Sequence, residues 1–182
     1  MSLGGPAAAQ FQSPSYKFIK AVENRDGATA TELLQTNPPG LINFKDAAGN
    51  TPLIIAINRQ DYNWTGFLIN KGADANIAGK GGETPLIAAA RIGFRDAVDW
   101  LLKAGAKVDG TNRMGETPLI IAVQQRQTEL VRLLLRMGAN PDKTDSAAGL
   151  SARDYATRDT RSRQILQLIE ASKPKVGSPT KK

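Results

Sequence analysis

Five aspartates stand at turn positions, Asp46, Asp74, Asp109, Asp142 and Asp145, and carboxylates are the groups that general acid and base chemistry most often uses in pairs. Such work needs two of them in one pocket. Turn capping explains the same residues, because an Asp side chain accepts hydrogen bonds from nearby backbone N–H groups. The chain has no His and no Cys, which excludes Ser-His-Asp and Cys-His nucleophile systems, imidazole or thiolate metal sites and disulfides. Gly79-Lys80-Gly81-Gly82 is glycine-rich but lacks the strand before it and the helix after it that a phosphate loop requires. Carboxylate enzymology is therefore the least supported class. No cofactor and no metal is expected.

Charge offers a second chemistry. The formal net charge is +7, and its placement matters more than its size. Residues 1–142 carry 15 basic and 13 acidic side chains, whereas residues 143–182 carry 9 and 4. A nucleic-acid groove would spread charge along the folded surface with aromatics between. Here the excess sits late in the chain, at Arg158, Arg161, Arg163, Lys173, Lys175, Lys181 and Lys182. Docking on nucleic acid or an anionic membrane through this basic end is the alternative reading, and its affinity would fall steeply with salt.

A third possibility is recognition of a protein. Arg59, Arg91 and Arg113 lie close to the apolar Ile92 and Met114 in the pattern developed below. Arg beside apolar side chains is the composition of interface anchors.

The elements that position these residues follow from an internal repeat. Gly49-Asn50-Thr51-Pro52-Leu53-Ile54-Ile55-Ala56 recurs as Gly82-Glu83-Thr84-Pro85-Leu86-Ile87-Ala88-Ala89 and as Gly115-Glu116-Thr117-Pro118-Leu119-Ile120-Ile121-Ala122, each step being 33 residues. Gly72-Ala73-Asp74, Gly105-Ala106-Lys107 and Gly138-Ala139-Asn140 keep the same step. A degenerate copy, Gly149 to Ala156, follows after one extra residue in Ser146-Ala147-Ala148, and a shortened copy begins near Ser13. Thr51, Thr84, Thr117 and Ser151 read as helix N-caps, with Pro52, Pro85 and Pro118 at the first helical position. Each first helix ends near Asn58-Arg59, Arg91-Ile92 or Gln124-Gln125. A second helix carries Leu68-Ile69, Leu101-Leu102, Leu134-Leu135 or Leu168-Ile169, and stops at Gly72, Gly105 and Gly138 in the first three cases. Gly66 inside one second helix should cost about 1 kcal/mol relative to Ala.

A period of this length with Thr-Pro-Leu and a later Gly-Ala-Asp resembles the ankyrin repeat, over roughly residues 14–170. The resemblance implies an all-α solenoid of stacked helix-turn-helix units joined by β-turn fingers. The family's His after Thr-Pro-Leu is Ile54, Ile87 and Ile120 here, which removes its polar contacts and leaves packing to fill the space. It also implies a non-catalytic module that binds a partner protein on a concave face of finger tips and first-helix ends. Carried onto this chain, the tips are Ala47, Ala48, Asn50, Lys80, Gly81, Glu83, Arg113, Met114 and Glu116. The helix ends are Asn58, Arg59, Arg91, Ile92, Gln124, Gln125 and Arg158. Trp64 and Trp100 fall on the opposite, convex side, where packing against a neighbouring helix is the ordinary fate of a tryptophan.

The 182 residues are expected to divide into a disordered segment (1–12), one repeat domain (13–171) and a basic disordered tail (172–182). The approximate units are 13–45, 46–78, 79–111, 112–144 and 145–171, the outer two acting as caps, with a monomer expected. Ala7-Ala8-Ala9 before Gln10 has the small residues of a signal-peptide end without the charged and apolar regions that should precede it. This slightly favours a bacterial periplasmic or secreted protein over a cytoplasmic one. No apolar run reaches the roughly 18 residues of a membrane span.

Overall fold

A computed structural model describes residues 13–37 and 39–172. The terminal segments 1–12 and 173–182, including Lys173, Lys175, Lys181 and Lys182, lie outside the described residues.

Among the described residues the chain forms helix pairs without a named strand. The first pair is α1 (Pro14–Asn24) and α2 (Gly27–Thr36). Three near-identical pairs follow: α3 (Pro52–Asn58) with α4 (Tyr62–Asn70), α5 (Pro85–Arg91) with α6 (Arg95–Lys103), and α7 (Pro118–Gln124) with α8 (Thr128–Arg136). The last pair is α9 (Ala152–Arg158) and α10 (Arg163–Ala171).

Local chemistry sets where each first helix starts. The Thr51, Thr84 and Thr117 hydroxyls accept from the N–H of Ile54, Ile87 and Ile120 at 3.3, 3.2 and 3.2 Å. Proline occupies the following position, where its missing N–H leaves no helical bond unmade. Ser151 builds the same cap with Asp154 as a reciprocal partner. Gly72, Gly105 and Gly138 terminate the second helices at φ of 87°, 87° and 85°, a backbone region that costs glycine little.

The first helices α1, α3, α5, α7 and α9 stack in sequence, while α4 packs on α6 and α8 on α10. Leu53, Leu86 and Leu119 are fully buried between them, and so are Ile54, Ile87 and Ile120, which fill the expected His position by packing alone. Ala56, Ala89, Ala122 and Ala156 are buried as well, keeping these helices thin where they meet. At the fourth Leu position Arg153 instead binds Asp142 through two hydrogen bonds of 2.6 and 3.3 Å. No further unit follows α10 within the described residues, so that site faces solvent and a charged pair can occupy it.

A second ladder, unnoticed in the sequence, runs between units at the same period. The side-chain oxygen of Asn43 accepts from Asp74 N–H, that of Asn76 from Lys107 N–H, and that of Asp109 from Asn140 N–H, at 2.9, 2.9 and 2.8 Å. Asp142 is the next member and turns to Arg153. Positions 43, 76, 109 and 142 carry Asn, Asn, Asp and Asp at 33-residue steps, so the signal was present. Ion pairs Arg25–Asp61 (2.5 Å) and Arg126–Asp159 (2.6 Å) tie neighbouring units at the turns between their helices.

Candidate interaction surface

The fingers are short reverse turns closed by backbone hydrogen bonds. Asp46 N–H donates to Asn50 O, Gly79 N–H to Glu83 O, Asn112 N–H to Glu116 O and Asp145 N–H to Leu150 O. Neighbouring fingers are joined in turn. Arg113 N–H donates to Gly81 O at 3.0 Å and Ser146 N–H to Met114 O at 2.8 Å. At Gly115 (φ 75°) an added Cβ would lie 2.5 Å from Ser146 Oγ and 2.6 Å from its nitrogen, so this close approach between fingers requires glycine.

The aspartates are occupied in the structure. Asp46 accepts from Asn50 N–H, Asp74 from Asn76 N–H and Asp109 from Asn140 N–H. Asp145 is buried and accepts from Ala148 and Gly149 N–H and from the Tyr155 hydroxyl, the last at 2.6 Å. Burial by itself would raise the Asp145 pKa. The Tyr155 and backbone hydrogen bonds outweigh it and hold the carboxyl below its ordinary value. The Tyr155 hydroxyl is raised, first by that bond to Asp145 and then by burial. Among the described residues no group of three or more acidic side chains is arranged to hold a metal ion.

The candidate binding residues divide into those already engaged and those facing outward. Arg91 bridges two fingers, its Nε 2.7 Å from Glu83 and a terminal nitrogen 3.7 Å from Glu116. Arg91, Glu83 and Glu116, three residues picked for partner contact, thus form one cluster that also ties unit to unit. Arg59 donates to the Glu23 carbonyl at 2.7 Å, anchoring the end of α3 on α1. Ile92 is half-buried against the core rather than a solvated apolar residue. Its carbonyl accepts from the Gln60 amide at 3.1 Å. Gln125 accepts from Gln127 at 2.6 Å, and Gln124 is exposed at the end of α7. Lys80, Arg113, Asn58 and Arg158 are exposed, and Met114 is 54% exposed. Arg158 lies near enough to Asp154 to help lower its pKa, though the leading cause there is the hydrogen bond from Ser151.

The tryptophans belong to the second helices. Trp64 is buried and meets Phe67 edge-on at 5.2 Å. Trp100 packs edge-on against Tyr62 at 4.5 Å and lies over Gly66 of the neighbouring helix. Among the described residues no helix is long and apolar enough to cross a membrane.

Stacked helix pairs capped by Thr-Pro and joined through bonded fingers define a helical-repeat solenoid. The family model described as ankyrin repeats (3 copies) matches residues 18–112 and 66–145, and the chain belongs to the ankyrin-repeat family. No curated protein matches the sequence. Members of this family generally serve as modules for protein–protein interaction.

Proposed function

We propose that this protein is a non-catalytic binding module that holds a partner protein on the concave face formed by the fingers and the ends of the first helices. The observation that carries this reading is the row of bonded fingers presenting Lys80, Arg113 and the 54% exposed Met114 over a closed core. Met114 stands directly after Arg113 on the same finger, and an arginine beside an exposed apolar side chain is the composition of an interface anchor. Arg91, held by Glu83 and Glu116, acts as a rigid floor to that row, so little side-chain entropy is lost when a partner lands on it.

Five units at the roughly 8 to 10 Å spacing of packed helices give a face on the order of 40 Å long, room for the ~800 Å² per partner of a standard interface. The test is calorimetric titration of a captured partner against Met114→Ala, Arg113→Ala and, on the opposite side, Tyr62→Ala. The finger variants should each weaken binding by about 1 to 3 kcal/mol while Tyr62→Ala leaves it unchanged. Loss of binding on the Tyr62 side alone would overturn the assignment of faces.

A further inference from the structure

The two signs of charge along the fingers are exposed to different degrees, the carboxylates Glu23, Asp46, Glu83 and Glu116 being half-buried and the cations Lys45, Lys80 and Arg113 exposed, and this gives the partner a chemistry. Glu23 is held by Lys20 at 2.6 Å, Glu83 and Glu116 are held by Arg91, and Asp46 is used inside its own turn. Each carboxylate named here is therefore engaged within the protein. Lys45 at the base of the first finger, and Lys80 and Arg113 on the second and third, are exposed cations, and none of these is in an ion pair among the described residues. Beside the first of them lies a cavity of about 690 Å³ between α1 and the first finger. Its walls include Ile19, Phe44, Ala47 and Ala48, and its charged lining residues are Lys20 and Lys45 with the carboxylates Glu23, which Lys20 holds, and Asp46, which its own turn holds. Phe44 is 48% exposed, and Ala47 leaves room where the next two fingers have Lys80 and Arg113, as Ala48 does where the third has Met114.

We infer that the finger row binds an extended acidic segment of a partner protein, with a bulky apolar side chain of that segment seated in the Phe44 cavity and its carboxylates facing Lys45, Lys80 and Arg113. This rests on the concave-face reading above and adds the chemistry of the partner to it. Two finger spacings of about 8 to 10 Å each are spanned by five or six residues of extended chain at roughly 3.3 Å per residue, so one short segment can meet all three cations. A polypeptide fits better than a nucleic acid because the row has an apolar cavity at one end and an exposed methionine at the other, whereas a nucleic-acid track alternates cations with aromatic stacking platforms.

The experiment is selection of a phage-displayed random twelve-residue peptide library on the full chain, followed by titration of the selected peptides. Variants Lys80→Glu, Arg113→Glu, Ala48→Trp and Tyr62→Ala are compared, each checked for native helicity. The expected consensus is rich in Asp and Glu around an aromatic or large aliphatic residue. Each charge reversal should weaken it about tenfold, more so at low salt. Ala48→Trp, which fills the cavity, should weaken peptides with the apolar residue and spare those in which it is Ala. A neutral or basic consensus that is still lost on Arg113→Glu overturns the acidic-segment inference and leaves the concave-face reading standing. Peptides sensitive only to Tyr62→Ala overturn both, as does a selection that enriches nothing. Tighter binding of a single-stranded DNA oligomer than of any selected peptide, lost on the same charge reversals, reassigns the row to nucleic acid.

Discussion

Replacing Gly66 by Ala should stabilise the protein. Gly66 sits in the middle of α4, where glycine is about 1 kcal/mol less favourable than alanine because its unfolded backbone has more freedom to lose. Such a glycine is retained for packing only if a Cβ would collide. Here an added Cβ would lie 3.6 and 3.8 Å from two ring carbons of Trp100, ordinary van der Waals contact with room to spare. The helix gain is therefore kept, and a few dispersion contacts with the indole add tenths of a kcal/mol to it. A gain of about 1 kcal/mol corresponds to a rise in melting temperature of roughly 2 to 4 °C for a chain of this size. Urea titration followed by helical dichroism measures it directly, and an unchanged slope against urea would confirm that stability has risen with no change in the surface exposed on unfolding. Gly115→Ala is the matched control. There a Cβ would approach Ser146 to 2.5 Å at a positive φ, and stability should fall by more than about 1 kcal/mol. If Gly66→Ala lowered the midpoint, the proposed fit of Trp100 over α4 would be wrong.

Thr65, fully buried on the same helix, has a hydroxyl with no hydrogen-bond partner among the described residues. Thr65→Val keeps the shape, removes the stranded polar atom, and should raise stability by about 1 kcal/mol in the same titration. Arg91→Ala should cost at most about 1 kcal/mol, because the pairs it makes are partly exposed, and the loss should shrink in high salt. Stability should be flat between about pH 7.5 and 5.5, since there is no imidazole to titrate. It should then fall with acid. Asp145, Asp26, Asp154 and Asp159 all have pKa values below the ordinary one, Asp159 chiefly through the Arg126 hydrogen bond and Asp26 through the Thr29 hydroxyl. A depressed folded-state pKa gives stability that is complete above the unfolded value near 3.9 and is lost as pH falls through the folded one. Thermal melts from pH 7.5 to 2 would show it, and a transition midpoint that dropped sharply at pH 6 would contradict the assignment.

What could be read in advance follows a physical divide. Caps and core depend on residues close in sequence, so Thr51-Pro52-Leu53 and its copies disclose where a helix begins, which face it buries and that Ile54 can replace a polar residue by packing. Repetition then supplies the long-range order, because each unit meets the next as that one meets its successor. Arg153, standing where the other copies have Leu53, Leu86 and Leu119, marks a solvated end in the same way, whereas its pairing with Asp142 becomes visible only in the folded chain.

The surface resisted the same treatment. Arg91 looks like an unpaired anchor in the sequence, and the residues that engage it, Glu83 and Glu116, lie eight positions back and on the following finger. Whether they reach it depends on the register in which fingers stack, which the backbone bonds from Arg113 to Gly81 and from Ser146 to Met114 decide. Ile92 shows the same limit, since a residue just past a helix end can turn toward the core or toward water, and here it is half-buried against the core. A repeat protein holds its stack with one set of periodic residues and has the rest of each finger available for recognition. In this chain the carboxylates of the finger face serve the stack, through Arg91 and the turns, while the charged side-chain ends of Lys45, Lys80 and Arg113 make no ion pair among the described residues. The proposed preference for an acidic segment rests on that difference between the two signs of charge on the face, not on the net charge of the chain.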